Sequence, residues 1–236
     1  IFIGIPIMLA EVYLGKRGRL NPIASIKYIS DKEKRSKNWR IIGFMGILSG
    51  ILILSYYAVI AGWTMAYSVR TAFGNLNNID ATGAAVMFES LVSDPERLLA
   101  WHTIFIIITA IVVAKGVKSG LESAVVRLMP ALLVLLLALV IFSAIEGEFY
   151  DGLRFMLYPD FSQITWKSVL IAMGQAFFSL SLGMGALMVY GSYLSSDISI
   201  PQTCVIVAFL DTTVALLAGL AIFPIVISSG LEMSQG

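Results

Sequence analysis

The stretch from Gly174 to Tyr193, Gly-Gln-Ala-Phe-Phe-Ser-Leu-Ser-Leu-Gly-Met-Gly-Ala-Leu-Met-Val-Tyr-Gly-Ser-Tyr, constrains the fold more than any other. It is long and apolar enough to cross a bilayer, for which about 20 residues are needed. Its middle nevertheless carries Ser179, Ser181, Gly183 and Gly185, which favour a broken helix over a continuous one. Lipid offers no partner to a freed backbone N–H or C=O, so unwound chain at mid-membrane depth survives only where protein or a water-filled cavity surrounds it. The expectation is a polar binding place at this break.

Composition sets the break in a membrane protein. Of the residues, 58% are hydrophobic and only 13% charged, with a mean hydropathy of +0.88, well beyond a soluble domain. A formal net charge of +1 gives no global attraction to nucleic acid. The single cysteine, Cys204, excludes an intramolecular disulfide and reads as a small packing residue. Apolar runs fall at 1–15, 41–69, 98–114, 123–145, 169–194 and 203–228, the fifth interrupted at 179–185. This predicts an all-α membrane protein of about six spans in a single transmembrane domain. The first run is too short for a full span and lacks the basic start and small-residue cleavage pattern of a signal peptide. The expectation is therefore a chain that begins inside a helix and forms part of a longer protein.

Charge orients the spans. Lys16, Arg17, Arg19, Lys27, Lys32, Lys34, Arg35, Lys37 and Arg40 crowd between the first two runs, against Asp31 and Glu33. The positive-inside rule makes that segment cytoplasmic. Alternation then adds Lys115, Lys118 and Arg127 to the inner side and leaves Arg70, Arg97, Arg154 and Lys167 outside, a split of 12 to 4 that supports the orientation.

Only two acids lie within apolar runs, Glu11 and Asp211. A carboxylate at that depth costs roughly 2.5 to 3.5 kcal/mol on insertion scales, so each should face the bundle interior and have a partner. For Asp211 the sharper reading is a cation ligand, because hard cations prefer carboxylate, hydroxyl and carbonyl oxygens and an unwound helix presents the last two. The plainer one is a hydrogen bond to a neighbouring helix. Glu11 is placed to accept bonds from the freed N–H groups of the break, a structural role ranked above ion binding.

Ser55, Ser179 and Ser181 have the ordinary alternative of bonding the carbonyl one turn earlier, and the neighbouring glycines favour a ligand role for the latter two. Tyr56 and Tyr57 stand deep in a span. Either hydroxyl suits a substrate carboxylate, and aromatic packing is the equal alternative. Phe177 and Phe178 read first as packing and second as a lid over an apolar ligand. His102 beside Trp101 reads as an interfacial anchor. With one histidine, and no serine elbow, zinc helix or phosphate-cradling glycine loop, enzymatic chemistry is disfavoured.

The run from Gln175 to Gly185 closely resembles the unwound sixth helix of the neurotransmitter:sodium symporter family. Gly4-Ile5-Pro6-Ile7-Met8-Leu9-Ala10-Glu11 with Gly15 resembles its second helix, Ser55-Tyr56-Tyr57 through Gly62-Trp63 its third, and Gly116-Val117 through Glu122 with Met129-Pro130 its fifth. The likeness covers all 236 residues and is greatest to bacterial amino-acid members. It implies helices two to seven of a twelve-helix inverted-repeat fold with discontinuous helices, in a bacterial inner membrane. It further implies sodium-coupled symport of hydrophobic amino acids by alternating access. Carried over by position, Tyr57 bonds the substrate carboxylate, Phe178 is the lid, and Ile53, Ile60, Ser181 and Met184 line the side-chain pocket. Ser179 and Asp211 become sodium ligands, and Glu11 braces the unwound segment. Met184 stands where relatives often have phenylalanine, implying a pocket for large and varied apolar side chains. The Asp211 carboxylate supplies a permanent charge where animal members need chloride, implying chloride independence. A non-transporting ligand sensor or scaffold subunit of the same fold is the alternative. A channel would want a continuous polar lining that these spans lack.

Overall fold

The computed structural model describes residues 3–74, 76, 79, 81–158 and 161–230, and among these the regular structure is helical throughout. The first two residues of the opening run lie outside them. In order the helices are α1 (Gly4–Gly18), α2 (Pro22–Lys32), α3 (Arg40–Ala72), α4 (Ala81–Val92), α5 (Pro95–Ala114), α6 (Ser123–Glu146), α7 (Phe149–Leu157), α8 (Trp166–Ser179), α9 (Ala186–Tyr193) and α10 (Ile200–Ser228). Short 3-10 turns occupy Lys37–Trp39 and Phe161–Gln163, and a π turn Val117–Glu122 leads into α6. Among the described residues four helical stretches are long and apolar enough to cross a membrane: Lys37–Ala72, Pro95–Ala114, Ser119–Glu146 and Ile200–Ser228.

Helices α2 and α7 stand in segments that the hydropathy pattern showed only as connections. Both are too short and too mixed in polarity to register as spans, yet each has local reasons to be helical. Asn21 caps α2 by accepting the Ala24 N–H at 2.9 Å, and Pro22 pre-sets the first turn. Pro22, Ser25, Ile26 and Ser30 then share a buried face. The Asp94-Pro95 pair also starts a helix: the Asp94 carboxylate accepts the Arg97 N–H at 3.1 Å, so α5 begins ahead of its apolar run.

The described residues divide into two compact units, one from Ile1–Gly50 with Met129–Gly236 and one from Ile51–Leu128. In the first, Met8, Val12, Leu182 and Cys204 form the buried cluster. A Cβ on Gly15 would meet the Met188 carbonyl oxygen at 2.0 Å, and one on Gly191 would meet that of Val12 at 2.4 Å. Without a hydrophobic drive between helices in lipid, such small residues let α1 and α9 gain van der Waals contact by close approach. The basic end of α1 closes over the next connection: Lys16 Nζ donates to the carbonyls of Ser196 and Ile198 at 3.2 and 2.9 Å.

The other end of the same unit is organised by Pro224. A proline inside a helix leaves the carbonyl four residues earlier without its N–H. Here the buried Ser143 hydroxyl donates to that carbonyl, Leu220 O, at 3.0 Å. The Glu148 N–H bonds Pro224 O at 3.2 Å, and the Phe155 and Phe223 rings meet at 5.1 Å. In the second unit α3 passes close to α5, where a Cβ on Gly62 would lie 3.0 Å from the His102 N. Phe88 of α4 packs against Trp63 and Tyr67 at ring distances of 5.4 and 6.4 Å. His102 is half-buried, with its Nδ1 buried, where α3 passes α5.

Candidate functional site

Helix α8 starts on a capping box, with Thr165 accepting the Ser168 N–H at 3.2 Å and the Ser168 hydroxyl answering the Thr165 N–H at 3.3 Å. It ends at Ser179 by two reversed bonds, Leu182 N–H to Phe177 O at 2.8 Å and Ser181 N–H to Phe178 O at 3.1 Å. That pairing is a Schellman termination, in which the residue after the cap turns left-handed and the next apolar residue folds back onto the helix. Ser181 occupies the left-handed position, with φ of 56°, and Leu182 packs with Phe177 in the buried cluster. Gly183 and Gly185 continue with φ of 82° and 74°, which side-chain-bearing residues rarely adopt, and α9 resumes at Ala186.

This termination leaves oxygen atoms without helical partners. The carbonyls of Ser179, Leu180 and Ser181 lie beyond the last bonds of the α8 ladder. Beside them the Ser179 hydroxyl donates to the Asp211 carboxylate, which α10 presents from its interior. On the other side of the break the Gly183 N–H donates to Glu11 Oε1 at 2.6 Å, and Glu11 Oε2 is buried. One carboxylate thus meets the acceptor-rich end of the break and another its donor end.

Among the described residues no group of three or more His, Cys, Asp or Glu side chains converges. The donors at the break are a carboxylate, a hydroxyl and carbonyls, all oxygen. Such a set fits a hard alkali or alkaline-earth cation and does not fit a transition metal that wants nitrogen or sulfur.

The sequence-named residues fall into two groups. Glu11, Phe178, Ser179, Ser181, Met184 and Asp211 belong to the first unit, and Ile53, Tyr57 and Ile60 to the second. The latter three lie at i, i+4 and i+7 on α3 and so share one helix face. Tyr56 and Tyr57 meet edge-on at 6.0 Å, and Ser55 donates to Leu52 O at 2.7 Å, the ordinary bond of a mid-helix serine. The sequence marks Ser181 as part of the break, with its hydroxyl as a ligand or a back-bond to the preceding turn, and not as the residue that turns left-handed. Its left-handed backbone is a separate, structural contribution, and its one sequence signal is its position two residues before a glycine-rich turn.

The family model of the Sodium:neurotransmitter symporter family matches residues 89–233. The chain is 36% identical over its full length to an uncharacterized sodium-dependent transporter, YhdH, of Bacillus subtilis, covering 51% of that protein. It is 37% identical over its full length to an uncharacterized sodium-dependent transporter of Haemophilus influenzae, covering 53% of it. It is also 33% identical, over 57% of its length and 21% of the relative's, to the sodium-dependent nutrient amino acid transporter 1 of Drosophila melanogaster. The chain therefore spans about half the length of the bacterial relatives it matches. Its family is one of transporters, which sets it apart from enzymes, and its long apolar helices are those of a multi-pass membrane protein. The chain belongs to the Sodium:neurotransmitter symporter family.

Proposed function

We propose that the protein to which this chain belongs carries hydrophobic L-amino acids, aliphatic and aromatic, into the cell together with sodium by alternating access. The observation that carries this reading is the Ser179 hydroxyl bonded to the Asp211 carboxylate at the end of a broken helix whose last carbonyls lie beyond its ladder. Membership of the family and the names of the bacterial relatives support sodium as the coupled ion, and the fly relative's name supports an amino acid as the cargo.

In this reading sodium binds at Ser179 and Asp211, and Glu11 holds the donor end of the break in place through Gly183. The Tyr57 hydroxyl takes the substrate carboxylate. By the family resemblance, Ile53, Ile60, Ser181, Met184 and Phe178 are the residues assigned to the substrate's side chain. The flexible Met184 thioether adapts to side chains of different shape. Coupling is reciprocal, so sodium must tighten the amino acid by the factor with which the amino acid tightens sodium. One sodium charge moving inward gains about 2.3 kcal/mol per 100 mV of negative-inside potential. Asp211 supplies a fixed negative charge, so transport proceeds without chloride.

The test is uptake by the full-length protein in proteoliposomes, with a panel of apolar amino acids and an inward sodium gradient. Leucine-like and aromatic substrates should accumulate in sodium and not in choline, and external gluconate should replace chloride without loss. Sodium-independent substrate binding with no flux would instead favour a ligand sensor of the same fold.

A further inference from the structure

The cations on the cytoplasmic side are not spread evenly over that surface. On α2 and in the turn that follows, Lys27, Lys32, Lys34, Arg35, Lys37 and Arg40 are all exposed. Among the described residues none of them makes an ion pair, whereas Arg17 is paired with Glu33. Asp31 is the remaining acid of the segment, so it keeps a strong positive excess.

Apolar surface begins directly beyond it. Trp39 is 53% exposed, and after Arg40 come Ile41, Ile42, Phe44 and Met45, exposed by 53, 53, 58 and 61%. A tryptophan between a cation cluster and the exposed apolar start of a span is the residue type enriched at headgroup depth. At this level a cleft of about 480 Å³ opens in the first unit. Leu14, Ile26, Ile29, Trp39 and Ile42 make its apolar wall, and Ser30, Arg35 and the mutually paired Arg17 and Glu33 complete its lining, which leaves Arg35 as its unpaired cation among the described residues.

We propose that this surface is a binding site for an anionic phospholipid of the cytoplasmic leaflet. Its phosphate sits at Arg35, flanked by Lys34 and Lys37, and one acyl chain lies against Trp39 and Ile42. The juxtaposition commits the site to a lipid. A soluble anion has no use for the apolar wall, and a zwitterionic lipid gains little from unpaired cations. Juxtamembrane clusters of four to eight Lys or Arg attract anionic lipid with roughly a fivefold gain in affinity per cation.

The experiment uses the delipidated full-length protein in detergent, with phosphatidylglycerol and phosphatidylcholine of matched chains. Bound lipids are counted by native mass spectrometry, and unfolding temperature is followed in parallel. Wild-type protein should retain phosphatidylglycerol over phosphatidylcholine, less so as salt is raised. R35Q together with K37Q should weaken that binding about 25-fold, while R35K keeps it. Trp39→Ala should weaken both lipids by removing part of the apolar wall. Equal binding of the two lipids by wild-type protein would overturn the proposal, as would full phosphatidylglycerol binding by the double variant. So would an equal thermal shift from inorganic phosphate, which would mean a free-anion site. If the double variant does not fold, the salt dependence in wild-type protein and the R35K result decide.

Discussion

Replacing Glu11 tests how the broken helix is held. The Gly183 N–H reaches Glu11 Oε1 at 2.6 Å, short for an N–H to oxygen bond and in keeping with a charged acceptor. Met8, Val12 and Leu182 beside it are 1, 6 and 6% exposed, but Gly183 itself is exposed, so water can take over part of a lost acceptor's role. Glu11→Gln keeps an oxygen in the same place and removes the charge. Since bonds to charged groups contribute about 1.5 to 3 kcal/mol and neutral ones about 0.5 to 1.5, the loss should be about 1 kcal/mol. Glu11→Ala removes the acceptor outright and should cost about 2 kcal/mol, the worth of a bond to a charged group, since water reaches the exposed Gly183 N–H. Hydrogen–deuterium exchange over residues 180–185 of the full-length protein reads this directly. If local opening limits exchange, the amide should exchange about fivefold faster in the glutamine variant and about 30-fold faster in the alanine variant. Identical exchange in all three proteins would refute the brace, and equal damage from Gln and Ala would refute the argument from the retained acceptor.

Three further substitutions probe the other contacts. Asp211→Ala should weaken sodium binding about 100-fold, since a unit charge pair about 4 Å apart near a protein surface interacts by a few kcal/mol. Glu122→Ala, at an exposed position in the π turn, should leave sodium binding unchanged, and equal effects in a sodium titration would count against the assignment. Ser181→Gly should raise stability by about 1 kcal/mol, because a left-handed backbone strains any residue with a Cβ; an unchanged or lower unfolding temperature would contradict the cap. Ser143→Ala should cost about 1 kcal/mol by leaving the Leu220 carbonyl unpaired, and adding Pro224→Ala should recover part of that by restoring the helical N–H. Strictly additive effects of the two would show that the hydroxyl does not stand in for the missing donor.

Much of this architecture is legible in the chain itself, because lipid narrows the choices. Apolar length marks α3, α5, α6 and α10 as helices able to cross a bilayer, since backbone groups in lipid must be satisfied within the helix. Gly183 and Gly185 stand where the chain turns left-handed, and their missing Cβ atoms are readable in the sequence. Glu11 and Asp211 stand out singly, because a carboxylate in an apolar run needs a reason.

What a one-dimensional pattern could not hold was decided by tertiary contact. Hydropathy carries no information about atomic pairing, so the chain could offer Asp211 and Glu11 as partners of the break without saying which atoms meet: the Ser179 hydroxyl with Asp211, 32 positions away, and the Gly183 N–H with Glu11, 172 positions away. The same is true of Ser143 at Leu220 O and of Gly15 and Gly191 against facing carbonyls, where a small residue matters only once a particular neighbour stands close. Helices α2 and α7 are too short to carry a span signal, and their polar faces resemble loops. Composition by itself therefore determines that this chain lives in a membrane as helices with a weak point near residue 180. Only packing decides which oxygens and which N–H groups gather at that point, because hydrogen bonds across helices depend on approach distances that no local run of residues encodes.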